Sequence, residues 1–220
     1  MHVKAYIVGI MLLAAPMTGR AAERALDLLD APVSYSADFT VSGDKGTYHG
    51  SVRHAPGREY RDFATKDGGQ AVILRRDTNA AYLLKPSGKW YVGLGFSAVG
   101  ALAGGLDTLT VDRVRQGAET VGGVKTTRYK IVGNGPKGSR FDGLAWFSAE
   151  GILVKAAGTL TESNGRASQV ETHLTNLRLG KVDESVFELP AGWFGMDLRS
   201  VPPERIAQAV ESLRPLLERR

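Results

Sequence analysis

The alternation of apolar and polar residues is clearest between residues 140 and 177, where it predicts three successive antiparallel strands. Turns at residues 148–151 and 162–165 separate these strands, and Gly151 and Gly165 allow the positive φ that tight hairpins need. The middle strand presents one row of apolar and small residues to one side of the sheet: Ile152, Val154, Ala156, Gly158 and Leu160. The small residues of this row leave room above the sheet, which covering helices or a lipid must fill.

The same alternation recurs through the first part of the chain in short segments separated by turns rich in glycine and proline. The predicted strands are residues 33–41, 47–53, 58–63, 71–75, 80–85, 89–92, 111–116 and 124–132. Hairpin follows hairpin, which is typical of an antiparallel meander. We therefore predict an α+β fold that is mainly antiparallel β, built on one long curved sheet with an apolar concave side.

Two segments before residue 110 have helical rather than strand spacing. Residues 22–30 predict a short helix, which Pro32 ends. Residues 93–109 place Phe96, Leu102 and other apolar residues near helical spacing, but they contain five glycines, and each glycine costs up to about 1 kcal/mol inside a helix. Two interpretations of this weak helix remain open. It is either packed permanently on the sheet, or it is a lid that moves when an apolar ligand enters.

The end of the chain predicts a C-terminal amphipathic helix over residues 202–220, which Pro215 kinks or ends. Its apolar stripe consists of Ile206, Val210, Leu213 and Leu217. The opposite face mixes both charge signs, which favours packing against the core over binding to a membrane.

The beginning of the chain, residues 1–21, has the features of a secretory signal peptide. Lys4 precedes an apolar run, and small residues at Gly19 and Ala21 favour cleavage after Ala21, with Ala22 as the alternative. The run is shorter than the roughly 20 residues that a membrane span needs. Residues 22–220 then form a single domain without cysteine, so we expect a soluble, monomeric protein of the bacterial periplasm.

The charge of the chain does not indicate a nucleic-acid partner. The net charge is +5, and loss of Lys4 and Arg20 with the signal peptide lowers it to +3. A basic protein can attract nucleic acid, but here lysine and arginine are spread along strands and turns rather than clustered. We interpret them as a solvated surface and predict no nucleic-acid partner.

The search for catalytic chemistry finds no pattern with the required context. Residues 133–138 match GxGxxG, but Pro136 and a strand follow where dinucleotide binding needs a helix, so we predict a hairpin loop. His49 and His54 point to opposite faces of one strand, which argues against a metal site and favours surface roles for the histidines. Ser97 lacks the GxSxG context of a nucleophile elbow. We therefore expect no cofactor, no metal and no enzymatic activity.

Two stretches resemble the bacterial outer-membrane lipoprotein-sorting carriers of the LolA type and the wider LolA/LolB-like superfamily. Residues 35–61, YSADFTVSGDKGTYHGSVRHAPGREYR, are similar to the first hairpin of these carriers and the basic-proline segment after it. Residues 186–193, VFELPAGW, followed by FGMDL, are similar to their closing extended strand. The resemblance implies an unclosed half β-barrel whose apolar concave side is lidded by helices and accommodates acyl chains.

The sequence departs from this family at two places that concern the lid. The carriers have a basic residue directly before the proline, where it helps to hold the lid, but Ala55 occupies that position here. The resemblance therefore passes this role to Arg53 or Arg58. Residues 93–109 also do not match the lid segment of the family.

The resulting functional hypothesis is a non-catalytic periplasmic carrier for the acyl chains of lipids or lipoproteins. The candidate ligand-binding residues are Phe39, Arg53, Arg58, Trp90, Phe96, Leu102 and Trp146. The same apolar residues are also compatible with an ordinary core sealed by the C-terminal helix. A second functional hypothesis is a protein-interaction or envelope-stress sensing module on the same fold, with another envelope protein as its partner.

Overall fold

The computed structural model describes residues 22–44, 46–64, 69–102, 108–206 and 208. The predicted signal peptide and most of the predicted C-terminal helix lie outside the described residues. In the described part of the chain, thirteen strands form one sheet. The strands are β1 Glu23–Arg24, β2 Tyr35–Gly43, β3 Gly46–Ala55, β4 Arg58–Phe63, β5 Gln70–Arg75, β6 Ala80–Lys85, β7 Trp90–Gly95, β8 Thr110–Val121, β9 Val124–Asn134, β10 Arg140–Ser148, β11 Leu153–Thr161, β12 Ala167–Leu179 and β13 Phe194–Asp197.

The order of strands across the sheet is β1-β8-β9-β10-β11-β12-β2-β3-β4-β5-β6-β7-β13. Two meanders, β2–β7 and β8–β12, are therefore joined side by side through the β2–β12 pair. All neighbours are antiparallel except β7 and β13, which are parallel. The two edges, β1 and β13, do not pair with each other, so the sheet is an unclosed half barrel, as predicted.

One face of the sheet, which we call the inner face, carries the main apolar core. Phe39 of β2, Ala81 of β6, Val111 of β8 and Phe141 of β10 belong to the same buried cluster. Strands β6 and β8 lie far apart in the strand order, so their side chains belong to one cluster because the sheet curves around the core. The opposite, outer face carries smaller apolar clusters, which the segment 182–193 covers.

Glycines on the inner face make room for aromatic rings. Gly143 and Gly158 lie opposite each other in β10 and β11. A Cβ atom at Gly158 would lie 2.7 Å from Cζ of Phe141, and one at Gly50 would lie 2.6 Å from Cζ of Phe39. Phe141 therefore fills the room that the sequence predicts above the small residues of β11.

Two short helices lie against the inner face: α1, Ala25–Leu28, and α2, Phe96–Leu102. Helix α2 is shorter than the weak helix predicted over residues 93–109, because β7 continues to Gly95; residues 103–107 are outside the described part. Ala98 and Val99 are buried, which favours the packed helix over the open lid in this conformation.

Near the C-terminus, residues 203–206 are helical and Ile206 is buried, while the rest of the predicted apolar stripe lies outside the described residues. Within the described chain, no helix combines the length and apolar character needed to span a bilayer. Residues 188–193, which belong to the stretch similar to a closing extended strand, form no strand; β13 begins directly after them.

Candidate functional site

Apolar side chains continue along the inner face from the core to the β13 edge. The strand register places Leu83, Val92 and Met196 in one row and Trp90 beside Phe194 in the next. We call these five residues the apolar strip. Leu83 and Val92 are half-buried, but Trp90, Phe194 and Met196 are 36%, 70% and 58% exposed. Contiguous exposed apolar side chains of this kind mark binding surfaces.

The position of the strip follows from the parallel docking of β13 on β7. The amide of Phe194 donates to the carbonyl of Lys89 over 3.2 Å, and the amide of Leu198 donates to the carbonyl of Gly93 over 2.8 Å. Gly195 lies against the ring of Tyr91, where a Cβ atom would come within 2.6 Å. This close approach on the outer side leaves Phe194 and its alternate neighbour Met196 on the inner side.

Elsewhere on the inner face, a small pocket opens between α1, α2 and the end of the β3–β4 hairpin. Its lining includes Leu26, Leu29, His54, Leu74, Arg76 and Phe96. The pocket has a volume of about 30 Å³, which is enough for one or two water molecules. Small-molecule sites usually have about 300 to 1,000 Å³, so this pocket is too small for an acyl chain in this conformation.

A buried charged cluster lies next to this pocket. Nε of Arg61 donates to Oε1 of Glu59 over 2.7 Å, and Nδ1 of His54 lies 3.4 Å from Oε2 of Glu59. Nε2 of His54 lies 2.9 Å from the carbonyl oxygen of Ala31, which is only an acceptor, so Nε2 carries a proton. Protonation of Nδ1 as well would turn its contact with Glu59 into an ion pair. The sequence hypothesis of surface histidines is therefore wrong for His54, which is 2% exposed.

The cluster changes the acidity of both of its titratable members. Burial alone would raise the pKa of Glu59, but Arg61 and His54 together lower the pKa of Glu59 to about 2. Burial alone would lower the pKa of His54, but Glu59, the carbonyl of Ala31 and Asp30 together raise the pKa of His54 above its ordinary value. The folded protein thus favours an ionised Glu59 and a protonated His54.

The raised pKa of His54 predicts a pH dependence of stability. The stabilisation is fully present below the ordinary histidine pKa of 6.5 and is lost as the pH rises through the higher value of the folded state. The free energy of unfolding, measured by urea denaturation, should therefore fall as the pH rises above 6.5. His54→Gln should flatten this slope, whereas His173→Gln, on the outer face, should keep it. An unchanged slope in the His54 variant would contradict the assignment.

Four of the seven predicted ligand-binding residues belong to the inner side of the sheet or to α2. Phe39 is 1% exposed in the core, where its ring contacts Phe63 edge to face. Trp90 lies in the apolar strip, and Phe96 is half-buried in the lining of the small pocket. Leu102 is the last residue of α2. The structure therefore distributes Phe39, Trp90 and Phe96 along the inner side and does not gather these three around one cavity.

The other three predicted residues direct their polar or aromatic groups elsewhere. The guanidinium of Arg53 lies 5.4 Å from the ring centre of Tyr60 on the outer face. Nε1 of Trp146 donates to Oε2 of Glu119 over 3.0 Å, also on the outer face, so Trp146 does not line the concave side. Its position next to Ala145, which points inward with 0% exposure, requires this orientation.

Arg58 ion-pairs with Asp77 and Glu184 at the end of the hairpin. Arg76, which the sequence hypothesis did not include, instead ion-pairs with the N-terminal helix and the residues after it. Nη1 of Arg76 lies 3.3 Å from Oδ1 of Asp27, and its Nε lies 3.8 Å from Oδ2 of Asp30. Arg76 directly follows β5, and the sequence pattern gives no signal for its partners because they are 49 and 46 residues away in the chain.

Arg113 is a second residue that the sequence hypothesis missed. It lies on the inner face of β8 with a side chain that is 1% exposed, 5.1 Å from the ring centre of Tyr129 and 5.8 Å from that of Phe147. Its Nη2 lies 3.3 Å from Oε2 of Glu23. The available signal was the alternation of β8, which puts Arg113 on the same face as the buried Val111.

The described residues do not bring three histidine, aspartate or glutamate side chains together in a metal-binding arrangement. Residues 133–138 form the end of β9 and a short 3₁₀ turn before β10, and no α-helix begins there. The hairpin interpretation of the GxGxxG match is therefore confirmed.

Comparisons of sequence find neither a matching family profile nor a matching curated protein. Comparisons of structure find an uncharacterized conserved protein from Thermus thermophilus, with a TM-score of 0.51, 12% identity, and coverage of 78% of this chain and 96% of that one. They also find MucB of Pseudomonas aeruginosa in its complex with MucA, with a TM-score of 0.46, 13% identity, and coverage of 74% of this chain and 58% of MucB.

A candidate outer membrane lipoprotein-sorting domain from Vibrio parahaemolyticus gives a TM-score of 0.31 and 9% identity, with coverage of 71% of this chain and 89% of that one. The chain spans less than two thirds of the length of MucB, and at these identities the similarities concern the fold alone. The chain has the open, curved, mostly antiparallel half-barrel fold that the resemblance in its sequence implied.

Proposed function

We propose that the chain is a non-catalytic, periplasmic binding protein that takes the acyl chain of a lipid or lipoprotein onto its inner face. The observation that carries the proposal is the apolar strip, whose exposed side chains continue directly from the buried core. Each methylene group that a ligand buries there contributes about 0.8 kcal/mol to binding. The strip is therefore the surface on which a flexible apolar chain gains the most binding free energy.

Entry of a longer acyl chain requires a displacement of the short helices, because the pocket between them is small. Helix α1 has only four residues and α2 has seven, and helices of this length depend on packing for their stability. Displacing these two helices exposes little ordered backbone. A ligand that replaces their apolar contacts therefore offsets most of the free-energy cost of the displacement. Export and the absence of catalysis remain proposals, supported by the features of residues 1–21 and by the missing catalytic patterns.

Single-tryptophan variants test this proposal, because the chain has three tryptophans in different places. The variant Trp146→Phe/Trp193→Phe keeps only Trp90, in the strip, and Trp90→Phe/Trp193→Phe keeps only Trp146, on the outer face. We expect a brominated fatty acid to quench the fluorescence of Trp90 saturably and to leave Trp146 nearly unchanged. Equal quenching of both, or of neither, would contradict binding at the strip.

A second candidate function, a protein-interaction module, is favoured by the free edge of β13. In the described part of the chain, β13 has a neighbouring strand only on the β7 side. Since Phe194 and Leu198 donate toward β7, the backbone of the alternate residues Gly195 and Asp197 points away from it. Such an edge accepts an extended segment of another protein. A photo-crosslinker at Phe194 that captures one discrete envelope protein, in a chain that retains no lipid, would favour this function.

A further inference from the structure

The ion pair between the buried Arg113 and the partly exposed Glu23 lies at the start of a segment that crosses the inner face. Residues 22–31, which we call the strap, begin at β1 on the β8 edge, and Glu23 is opposite Val111 in that pair. Ala25 and Leu28 of the strap are 0% and 7% exposed in the core, and its far end contacts His54 through Ala31. The strap thus presents a carboxylate first and apolar side chains after it.

A single-chain amphiphile with an anionic head has its groups in the same order as the strap. Such a ligand has one acidic group followed by a continuous apolar chain. On the strap, the carboxylate of Glu23 occupies the position of the head at Arg113, and Ala25 and Leu28 occupy the path of the chain on the inner face. The strap therefore has the chemistry of a ligand that belongs to the protein itself.

We propose that the inner face selects acyl ligands with an anionic head, carboxylate or phosphate, and that the head replaces Glu23 at Arg113 when the strap leaves the inner face. This inference rests on the proposed acyl-binding function and names the head group that the site prefers. Arginine suits the position because its planar guanidinium binds carboxylates and phosphates through paired hydrogen bonds. The rings of Tyr129 and Phe147 flank the cation and exclude water, which strengthens its attraction for an anion.

Replacement of one carboxylate by another leaves the charge balance of the site unchanged, so it avoids the large cost of an isolated buried cation. A neutral ligand has to leave Arg113 buried without its carboxylate, or leave Glu23 in place and bind only at the strip. The inner face should therefore discriminate between an acid and the alcohol of the same chain length.

The experiment compares palmitate with hexadecanol in the Trp90-only background at pH 8, where palmitate is ionised, with acetate and inorganic phosphate as headgroup-only probes. The variant Glu23→Gln removes the competing carboxylate. Relative to the parent, it should raise the ratio of palmitate affinity to hexadecanol affinity about tenfold. The double variant Glu23→Gln/Arg113→Gln, which has neither charge, should reduce this ratio to about one while retaining hexadecanol binding. Retained hexadecanol binding also shows that the double variant folds.

The outcomes separate the head-group inference from acyl binding. If both ligands bind equally in the parent and in Glu23→Gln, the inference is overturned and acyl binding stands. If neither ligand binds in any variant, both are overturned. If acetate or phosphate alone binds Glu23→Gln as tightly as palmitate does, the site is one for a free anion, and the inference of an amphiphilic ligand is overturned.

Discussion

Replacing Glu59 with alanine is expected to lower the free energy of unfolding by about 3 to 5 kcal/mol, the usual effect of removing one member of a buried ion pair. The side chains of Glu59 and Arg61 are each 10% exposed, and Arg61 would keep its charge in the core without this carboxylate. His54 would lose the contact that raises its pKa. The melting temperature should fall by roughly 10 °C, since 1 kcal/mol corresponds to about 2 to 4 °C in a chain of this size.

The matched control for this change is Glu171→Ala. Glu171 pairs with Lys155 on the outer face at 3.0 Å, but both side chains are substantially exposed, so its loss should change the stability by less than about 1 kcal/mol. The double variant Glu59→Leu/Arg61→Met removes both charges and should recover most of the stability that Glu59→Ala loses. Equal effects of the two alanine variants would show that the buried cluster does not hold the inner face together.

Gly158→Ala is expected to destabilise the fold by about 3 kcal/mol, at the upper end of the usual cost of overpacking. A Cβ atom there would lie 2.4 Å from the carbonyl oxygen of Asp142 and 2.7 Å from Cα of Gly143. Both atoms belong to the backbone of β10, so the strands must separate to admit the methyl group. Urea denaturation of the purified variant measures the effect directly.

Gly95→Ala is the matched control, because its nearest neighbours, the carbonyl oxygens of Arg199 and Asn79 and the hydroxyl of Ser97, would be 3.8 to 3.9 Å from the new Cβ atom. That is ordinary van der Waals contact, so the variant should lie within about 1 kcal/mol of the parent. A Gly158 variant as stable as the Gly95 variant would mean that β10 and β11 approach less closely than described.

Much of the fold was predictable because its strands are joined by short hairpins. Alternation indicates which residues share a face, and glycine at positions such as Gly151, with φ of 83°, indicates where the chain turns back. Both signals are local. The open sheet followed from them together with the family resemblance, and the structure has the unclosed half barrel that this resemblance implied.

The contacts that could not be predicted from the sequence are those between distant parts of the chain. No local pattern in the sequence indicates that β13 pairs in parallel with β7. The sequence therefore did not predict that the exposed Phe194 and Met196 lie beside Trp90. Trp146 was among the candidate ligand-binding residues, although its alternation with Ala145 puts it on the outer face. The alternation of side chains along β10 determines which face Trp146 occupies.

The partners of buried charged residues also could not be predicted from the sequence. Glu59 and Arg61 share one face of β4, and this face is buried. The guanidinium of Arg61 lies over the ring of Phe39, and Glu59 lines the small pocket together with Leu26 and Leu29 of the strap. A charged residue on an alternating strand normally indicates solvent. Here three charged or polar side chains lie together inside the core: Arg61 donates to Glu59, and Nδ1 of His54 lies 3.4 Å from Oε2 of Glu59.

The most direct test of acyl binding is mass spectrometry of lipids extracted from the chain after detergent-free purification from a bacterial periplasm. We predict that the parent retains acyl lipids in a defined ratio to protein, and that Phe194→Asp/Met196→Asp, which places two carboxylates in the apolar strip, retains at least about tenfold less, equivalent to a loss of about 1.4 kcal/mol. A folded parent that is free of lipid, or a double variant that retains as much lipid as the parent, would contradict the proposed function.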